Sequence, residues 1–335
     1  MATMKQVAEK AGVSTSTVSH VLNNTRIVSP DAKARVQEAI STLRYIPSAV
    51  ARSLKNDRTH TIGMMIPNNS NPYFAEVIQG VEDASFQFGY NIILCNSYDD
   101  PKKQAAYVRV LLEKRIDGLI LVASGSDSAL TQLLADEALP KVLVDREVAG
   151  VAADFIQADH EQGAYLATKY LLDLGHRNIA CVSGPKDLLS SRDRVSGYLR
   201  ALKEYGVKFR LDCLVNSDFT SQGGYDAFQQ LLALPQRPSA IFVSNDLMAI
   251  GGLCAASAAG VRIPDQLSVV GYDDIALASF TTPPLTTIAQ PKHEIGGVTA
   301  RALVERMLDH TLPFKREKLP TKLIIRGSTA PFTAA

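Results

Sequence analysis

From residue 61 onward, short runs of apolar and β-branched residues alternate with amphipathic stretches. The runs predict strands at Thr61–Pro67, Asn91–Asn96, Gly118–Ala123, Lys141–Asp145 and Phe155–Ala158. A second series follows at Asn178–Gly184, Ala240–Asn245, Leu267–Asp273 and Thr286–Gln290. Between them, Tyr73–Phe88, Lys103–Lys114, Gln162–Leu174 and Ser191–Tyr205 have helical spacing of their apolar positions. Strand–helix alternation of this kind predicts parallel sheets covered by helices on both faces. The series is long enough for two such sheets, the second beginning near residue 160. The polar breaks NNSNP (68–72) and PPLTT (283–287) punctuate it, and no low-complexity tract or long repeat interrupts it.

The first 60 residues read differently, as three short helices without a convincing strand. Val7, Ala8 and Ala11 form one apolar face, and Gly12 permits the left-handed turn that ends the helix. Ser14 is placed to cap a second helix, in which Val18, Val21 and Leu22 recur at helical spacing. Ser29 followed by Pro30 is a start signal for a third, with Val36, Ile40 and Leu43 expected to face inward. Two helices joined by Ala-Gly-Val-Ser and braced by a third form a helix-turn-helix. The expected fold class is therefore a three-helix head followed by an α/β core of parallel sheets.

Charge sharpens this division. The 335 residues carry a formal net charge of +1, with 46% hydrophobic and 21% charged residues, which excludes a disordered, collagen-like or coiled-coil rod protein. Residues 1–60 hold nine Lys and Arg against four acids, a surplus of five positive charges, so the remainder carries a surplus of four negative ones. A basic head on a mildly acidic body suggests a polyanion-binding module joined to something else. The apolar runs, such as Leu119 to Ala123, are far shorter than the ~20 residues of a membrane span. The N-terminus has no apolar signal region, which suggests a cytoplasmic protein. Cys95, Cys181, Cys213 and Cys254 lack metal or redox spacing, and their mostly apolar surroundings predict buried reduced thiols, Cys213 least clearly.

The start of the second helix enters the major groove in a helix-turn-helix, so Thr15, Ser16 and, one turn on, His20 would face base edges. Thr17 and Ser19 would meet phosphate or the neighbouring helix, and Arg26 adds to the DNA-facing set. A second signal is PSAVARSLK (47–55). Pro47 and Ser48 can start a helix, but about two turns is too short to be stable alone in water. Its order should depend on DNA, on the same segment of a second chain, or on both; the plain alternative is a linker helix.

In open α/β sheets, ligands collect at the carboxyl ends of the strands. Those ends carry Asn71, Asp145 with Arg146, Asn245 with Asp246, Asp273 with Asp274, and Gln290. Carboxylates, amides and arginine forks suit bidentate hydrogen bonds with vicinal hydroxyls. Tyr73 and Phe74 can supply an apolar platform for a ring face. Any one of these residues alone could be a helix cap or a turn.

The run VAEKAGVSTSTVSHVLN, followed by YIPSAVARSLK, resembles the lactose-repressor (LacI/GalR) family of bacterial transcription regulators, nearest its ribose-repressor and purine-repressor branches. The likeness covers the whole chain and implies a head at 1–46, a hinge helix and linker at 47–60, and a two-lobed core at 61–335 like that of periplasmic sugar-binding proteins. Lobe one would take about 61–159 and 291–320, and lobe two about 160–290 and 321–335. The family's minor-groove wedge falls on Leu54 and its minor-groove cation on Lys55, while Val50 and Ala51 would let two hinge helices approach.

In the core, NPYF implicates Asn71, Tyr73 and Phe74, and VDRE implicates Asp145 and Arg146. SSRDRV points to Arg192, SDFTSQGG to Phe219, SNDLMA to Asn245, GYDD to Asp273 and TTIAQP to Gln290. The family's ribose binders place an Asn after the third strand, where this chain reads VASGS, with Ala123 or Ser124. The resemblance implies D-ribose or a close pentose as effector, with a purine base or another sugar as alternatives. It also implies a homodimer on pseudo-palindromic operator DNA, sugar-induced release, and no cofactor or metal.

An enzyme is disfavoured, because the phosphate-loop, dinucleotide, zinc-protease and serine-elbow motifs are all missing. His160 and His176 read as isolated, His176 as a helix-end residue. A transport binding protein would share the core but would need a signal peptide and would lack the basic head.

Overall fold

The computed structural model describes residues 2–46, 58–122, 128–135, 139–148 and 150–333. It divides into two compact units, one before residue 60 and one from His60 onward. In the first, α1 (Met4–Ala11) begins with a capping box in which Gln6 N–H donates to Thr3 Oγ1 at 3.3 Å and Thr3 N–H to Gln6 Oε1 at 2.8 Å. Gly12, at φ 62°, closes it in the left-handed conformation. Helix α2 (Thr15–Asn23) is capped by Ser14, and α3 (Pro30–Leu43) by Ser29 with Pro30 in its first turn. Val7, Ala8, Ala11, Val18, Val36, Ala39 and Tyr45 form the core. The expected ridge of α3 is shifted. Ala32, Val36 and Ala39 face inward, whereas Ile40 and Leu43 are only half-buried at its flank. Ala32 and Ala39 are the small residues of that ridge, and α1 packs against α3.

The second unit contains two six-stranded sheets. The first has the order β11-β5-β4-β3-β1-β2, from β1 (Thr61–Ile66), β2 (Asn91–Asn96), β3 (Gly118–Leu121), β4 (Lys141–Val144), β5 (Asp154–Ala158) and β11 (Arg316–Leu319). The other has the order β12-β10-β9-β8-β6-β7, from β6 (Ile179–Ser183), β7 (Leu214–Asn216), β8 (Ala240–Val243), β9 (Ser268–Asp273), β10 (Thr286–Ala289) and β12 (Lys322–Ile324). The central strands are buried throughout, as β-branched runs covered on both faces must be.

Among the described residues all strand pairings are parallel except that of β10 with β12, which is antiparallel. Strands β7, β11 and β12 escape the sequence reading because they are short and lie at sheet edges. Polar residues such as Arg316, Glu317 and Lys318 blur their hydrophobic signature. The strand order reverses between β1 and β3 and again between β6 and β8, which creates a switch point in each sheet.

Among the described residues, eight further α-helices, α4 (Pro72–Gln87), α5 (Pro101–Glu113), α6 (Ser128–Leu134), α7 (His160–Asp173), α8 (Leu189–Glu204), α9 (Ser221–Leu232), α10 (Asp246–Ala258) and α11 (Lys292–Leu308), pack on the sheets. They pair as α4 with α11, α7 with α8 and α9 with α10. The backbones of α7 and α8 approach so closely that a Cβ on Gly197 would lie 2.1 Å from the Glu161 carbonyl oxygen. The chain passes between the sheets after β5, after β10 and after β11. Cys181 and Cys213 are buried and Cys95 half-buried, but Cys254 is exposed, against expectation. Helix α10 buries Leu253, Ala255 and Ala256 and turns position 254 outward.

Candidate ligand cleft and DNA-reading head

In the head, Thr15 and Ser16 are exposed on the first turn of α2, and Arg26 is exposed beyond its end. Thr17 serves the cap: its N–H donates to Ser14 Oγ at 3.1 Å, and the two hydroxyls lie 2.9 Å apart. His20 is half-exposed, with Nδ1 2.8 Å from Thr25 Oγ1. The helix start thus presents small hydroxyls to solvent, while Ser14 takes the N–H groups of Thr17, on its hydroxyl, and Val18, on its carbonyl. Leu54 and Lys55, with the expected hinge helix around them, lie outside the described residues, as do Ala123 and Ser124.

In the second unit, the carboxyl ends of both sheets face one cleft of about 110 Å³. One wall carries Asn71, Tyr73, Phe74, Asp145 and Arg146, and the other Arg194, Phe219, Asn245 and Asp273, with Gln290 at a crossover. Of the ten effector residues expected from the sequence, nine meet here. Several are held in unusual backbone conformations: φ is 55° at Asp145, 65° at Phe219 and 111° at Asp273. Strain of this kind persists only where the surrounding structure imposes it, and it gathers at functional sites.

Some of these side chains also serve the fold. Asn71 caps α4, accepting from Tyr73 N–H at 3.0 Å. Asn245 caps α10, accepting from Met248 N–H at 2.9 Å, and its amide donates to the Phe219 carbonyl at 3.1 Å. The rings of Tyr73 and Phe74 meet edge to face with centroids 5.0 Å apart, and both are buried. Arg146 is paired with Asp99, Nη1 to Oδ1 at 2.5 Å.

Arg192 is the exception and requires a correction. It is exposed and lines a separate groove with Lys186 and Leu199, whereas Arg194 enters the cleft. Two residues advance an α-helix by about 200°, so the two arginines of the SSRDRV run point to opposite faces of α8. The motif was legible, but the choice between its arginines needed the helix phase.

His160 is likewise not isolated. Its Nε2 lies 3.0 Å from Asp145 Oδ1 and its Nδ1 3.2 Å from Arg194 Nη2. The only sequence signal for this was its position just after a strand. His176 does follow the end of α7, and its buried ring reaches Ser239, Ser268 and the Ala330 carbonyl. It pins the C-terminal segment to the second sheet.

The electrostatics follow from burial. Burial opposes ionisation of Asp145, but His160, the Tyr73 hydroxyl and the Arg194 charge outweigh it and hold the carboxyl below its ordinary range. For Asp273, burial prevails over Arg194 and the Gln290 amide, and the carboxyl is pushed up to about 6. Gln290 Nε2 donates to Asp273 Oδ1 at 2.7 Å, and Arg194 Nη2 lies 3.9 Å from the same oxygen.

Two polar atoms of this group are left over. Arg194 Nε and Gln290 Oε1 are buried without a hydrogen-bond partner in the protein. An unpaired buried donor and acceptor cost about 1–3 kcal/mol each, and a polar ligand would recover that. Among the described residues no cluster suits a metal ion, and no helix is long and apolar enough to cross a membrane.

Comparison with known proteins matches nearly the whole chain. Residues 3–48 match the bacterial regulatory proteins of the lacI family, and residues 59–331 the periplasmic binding proteins and sugar binding domain of the LacI family. The chain is 44% identical to the ribose operon repressor of Escherichia coli K12, covering 98% of this chain and 100% of that one. It is also 44% identical to the transcriptional repressor PurR of Photobacterium profundum, covering 98% of each.

Among solved structures, a lac repressor dimer bound to operator and an anti-inducer is 28% identical with a TM-score of 0.89, covering 98% of this chain and 99% of that one. A LacI family regulator from Enterococcus faecium with bound ribose is 31% identical with a TM-score of 0.73, covering 82% and 100%. Head and core match models of one and the same family: this chain belongs to the LacI family of bacterial regulatory proteins.

Proposed function

We propose that D-ribose, bound in the cleft, controls the affinity of this chain for operator DNA. Family membership supplies the coarser part: the chain is a DNA-binding repressor with a small-molecule effector, not an enzyme. The observation that carries the finer part is the buried set Asp145, Arg194, Asp273 and Gln290. It offers two carboxylates, a guanidinium and an amide around a small space, with Arg194 Nε and Gln290 Oε1 unpaired. A compact ring bearing several hydroxyls, each both donor and acceptor, satisfies such a mixed set. Ribose in the Enterococcus faecium regulator supports the same choice.

In this reading two chains act as a homodimer in the cytoplasm, each head contacting half of a pseudo-palindromic operator through Thr15, Ser16, Thr17, His20 and Arg26. Leu54 and Lys55 add the minor-groove contact. Arg194 takes the role first expected of Arg192. Ribose favours a form of the dimer that binds DNA less well, and by linkage the operator is released.

A purine base is the second reading, favoured by the Tyr73–Phe74 aromatic pair and by the equal likeness to PurR. Calorimetry of the purified chain against D-ribose, other pentoses, hexoses and hypoxanthine, repeated with operator present, separates the two. Ribose binding that weakens operator affinity is expected. Heat from hypoxanthine alone would replace ribose with a purine.

A further inference from the structure

We propose that His160 is a positioning residue that links the two walls of the cleft, orienting Asp145 of one and Arg194 of the other toward the same ligand. This rests on the small-ligand reading above. His160 occupies the first crossover between the sheets, directly after β5 and at the start of α7, and its side chain is inaccessible to solvent.

Its two hydrogen bonds determine its chemical state. A guanidinium can only donate, so Nδ1 must accept from Arg194 Nη2, and the ring proton must sit on Nε2 and be given to Asp145 Oδ1. Only the neutral ring in this one tautomer satisfies both partners. A proton on Nδ1 would face the N–H of Arg194 and break the link.

The consequence for the ligand lies in what remains of each partner. Arg194 gives Nη1 to the Ser244 carbonyl at 2.5 Å and Nη2 to His160, which leaves the Nε edge unpaired. Asp145 receives His160 on one oxygen and the Tyr73 hydroxyl on the other. His160 thereby decides which edge of the guanidinium is offered, and it couples that choice to the carboxylate across the cleft. The charged and titratable groups around the ring are Asp145 after β4, Arg194 and Asp193 on α8, and Tyr272 on β9. Burial and the Arg194 charge both oppose its protonation.

The first test is nitrogen NMR of the full-length chain labelled at histidine, with His160→Gln assigning the resonance among the six histidines. The Nε2–H tautomer, unchanged between about pH 6 and 8, is expected. An Nδ1–H tautomer or a normally titrating ring would overturn the proposal. The second test is calorimetry with D-ribose. His160→Gln, which retains one donor and one acceptor, should bind within about fivefold of the parent, whereas His160→Leu should bind about 10–100-fold more weakly.

Equal ribose affinity in His160→Leu would also overturn it, and if that variant fails to fold the tautomer of the parent decides. A parent chain that gives no heat with ribose but keeps the tautomer counts against ribose and not against His160. The same variants are then titrated with hypoxanthine.

Discussion

The guanidinium of Arg194 stacks over the ring of Tyr272, with Cζ 4.0 Å from the ring centroid. Both side chains are buried, so the charge that faces the ligand is held from behind by an aromatic face in place of water. A desolvated cation–π contact of this kind contributes about 2 kcal/mol. Tyr272→Leu should therefore weaken ribose binding about 10–30-fold, while Tyr272→Phe keeps the ring face and stays close to the parent. Calorimetry of the two variants checks this, and equal losses would show that the hydroxyl, not the face, matters.

The two arginines of α8 make a paired prediction. Arg194→Ala removes a buried cation from beside Asp273 and Asp145 and should reduce ribose affinity by at least about 100-fold, with operator retained at high ribose. Arg192→Ala removes an exposed side chain outside the cleft and should change ribose affinity less than about twofold. Fluorescence anisotropy of labelled operator during ribose titration reads both.

Asp273 gives a pH dependence with a definite sign. Its carboxyl titrates at about 6 in the folded chain, because burial outweighs Arg194 and Gln290. An unfolded aspartate titrates near about 4, so between these values the folded state holds the extra proton and this group's contribution to stability falls as pH rises. Ribose hydroxyls donate best to the ionised form, so affinity should rise with pH through about 6 and then level off. Calorimetry across this range, with Asp273→Asn as the control that removes this group's titration, tests it.

The division of the chain is also testable. Residues from His60 onward form their own compact unit. Deleting residues 1–58 should abolish operator binding and leave ribose affinity within about twofold of the parent, as separate modules require. Loss of both activities would contradict the modular reading.

Gly197→Ala probes the support beneath the site. The added Cβ would meet the Glu161 carbonyl oxygen on α7, backbone that no side-chain rotation can clear. Overpacking costs about 1–3 kcal/mol, more than the helix propensity gained, so Tm should fall by several degrees. Because α7 carries His160 and α8 carries Arg194, ribose affinity should fall with it. Scanning calorimetry and ribose titration check the pair.

Much of this protein is written in local patterns. Ser14, Gly12 and the Ser29–Pro30 pair determine the limits of the head helices, because caps and left-handed turns depend on a few adjacent residues. The apolar runs determine the central strands, because burial on both faces leaves them mostly apolar. The residues at the strand ends could then be read as one site, since parallel sheets bring their carboxyl ends together.

What the tertiary structure alone decided is where each side chain points and what it meets. Helix phase selected Arg194 over Arg192, and a sheet-to-sheet crossover brought His160 between Asp145 and Arg194, 15 and 34 residues away in sequence. The edge strands β11 and β12 also became strands only through their partners, since their polar residues carry little pattern of their own. Such pairings are non-local: a hydrogen bond across the cleft depends on how two sheets meet, and no spacing along the chain encodes it.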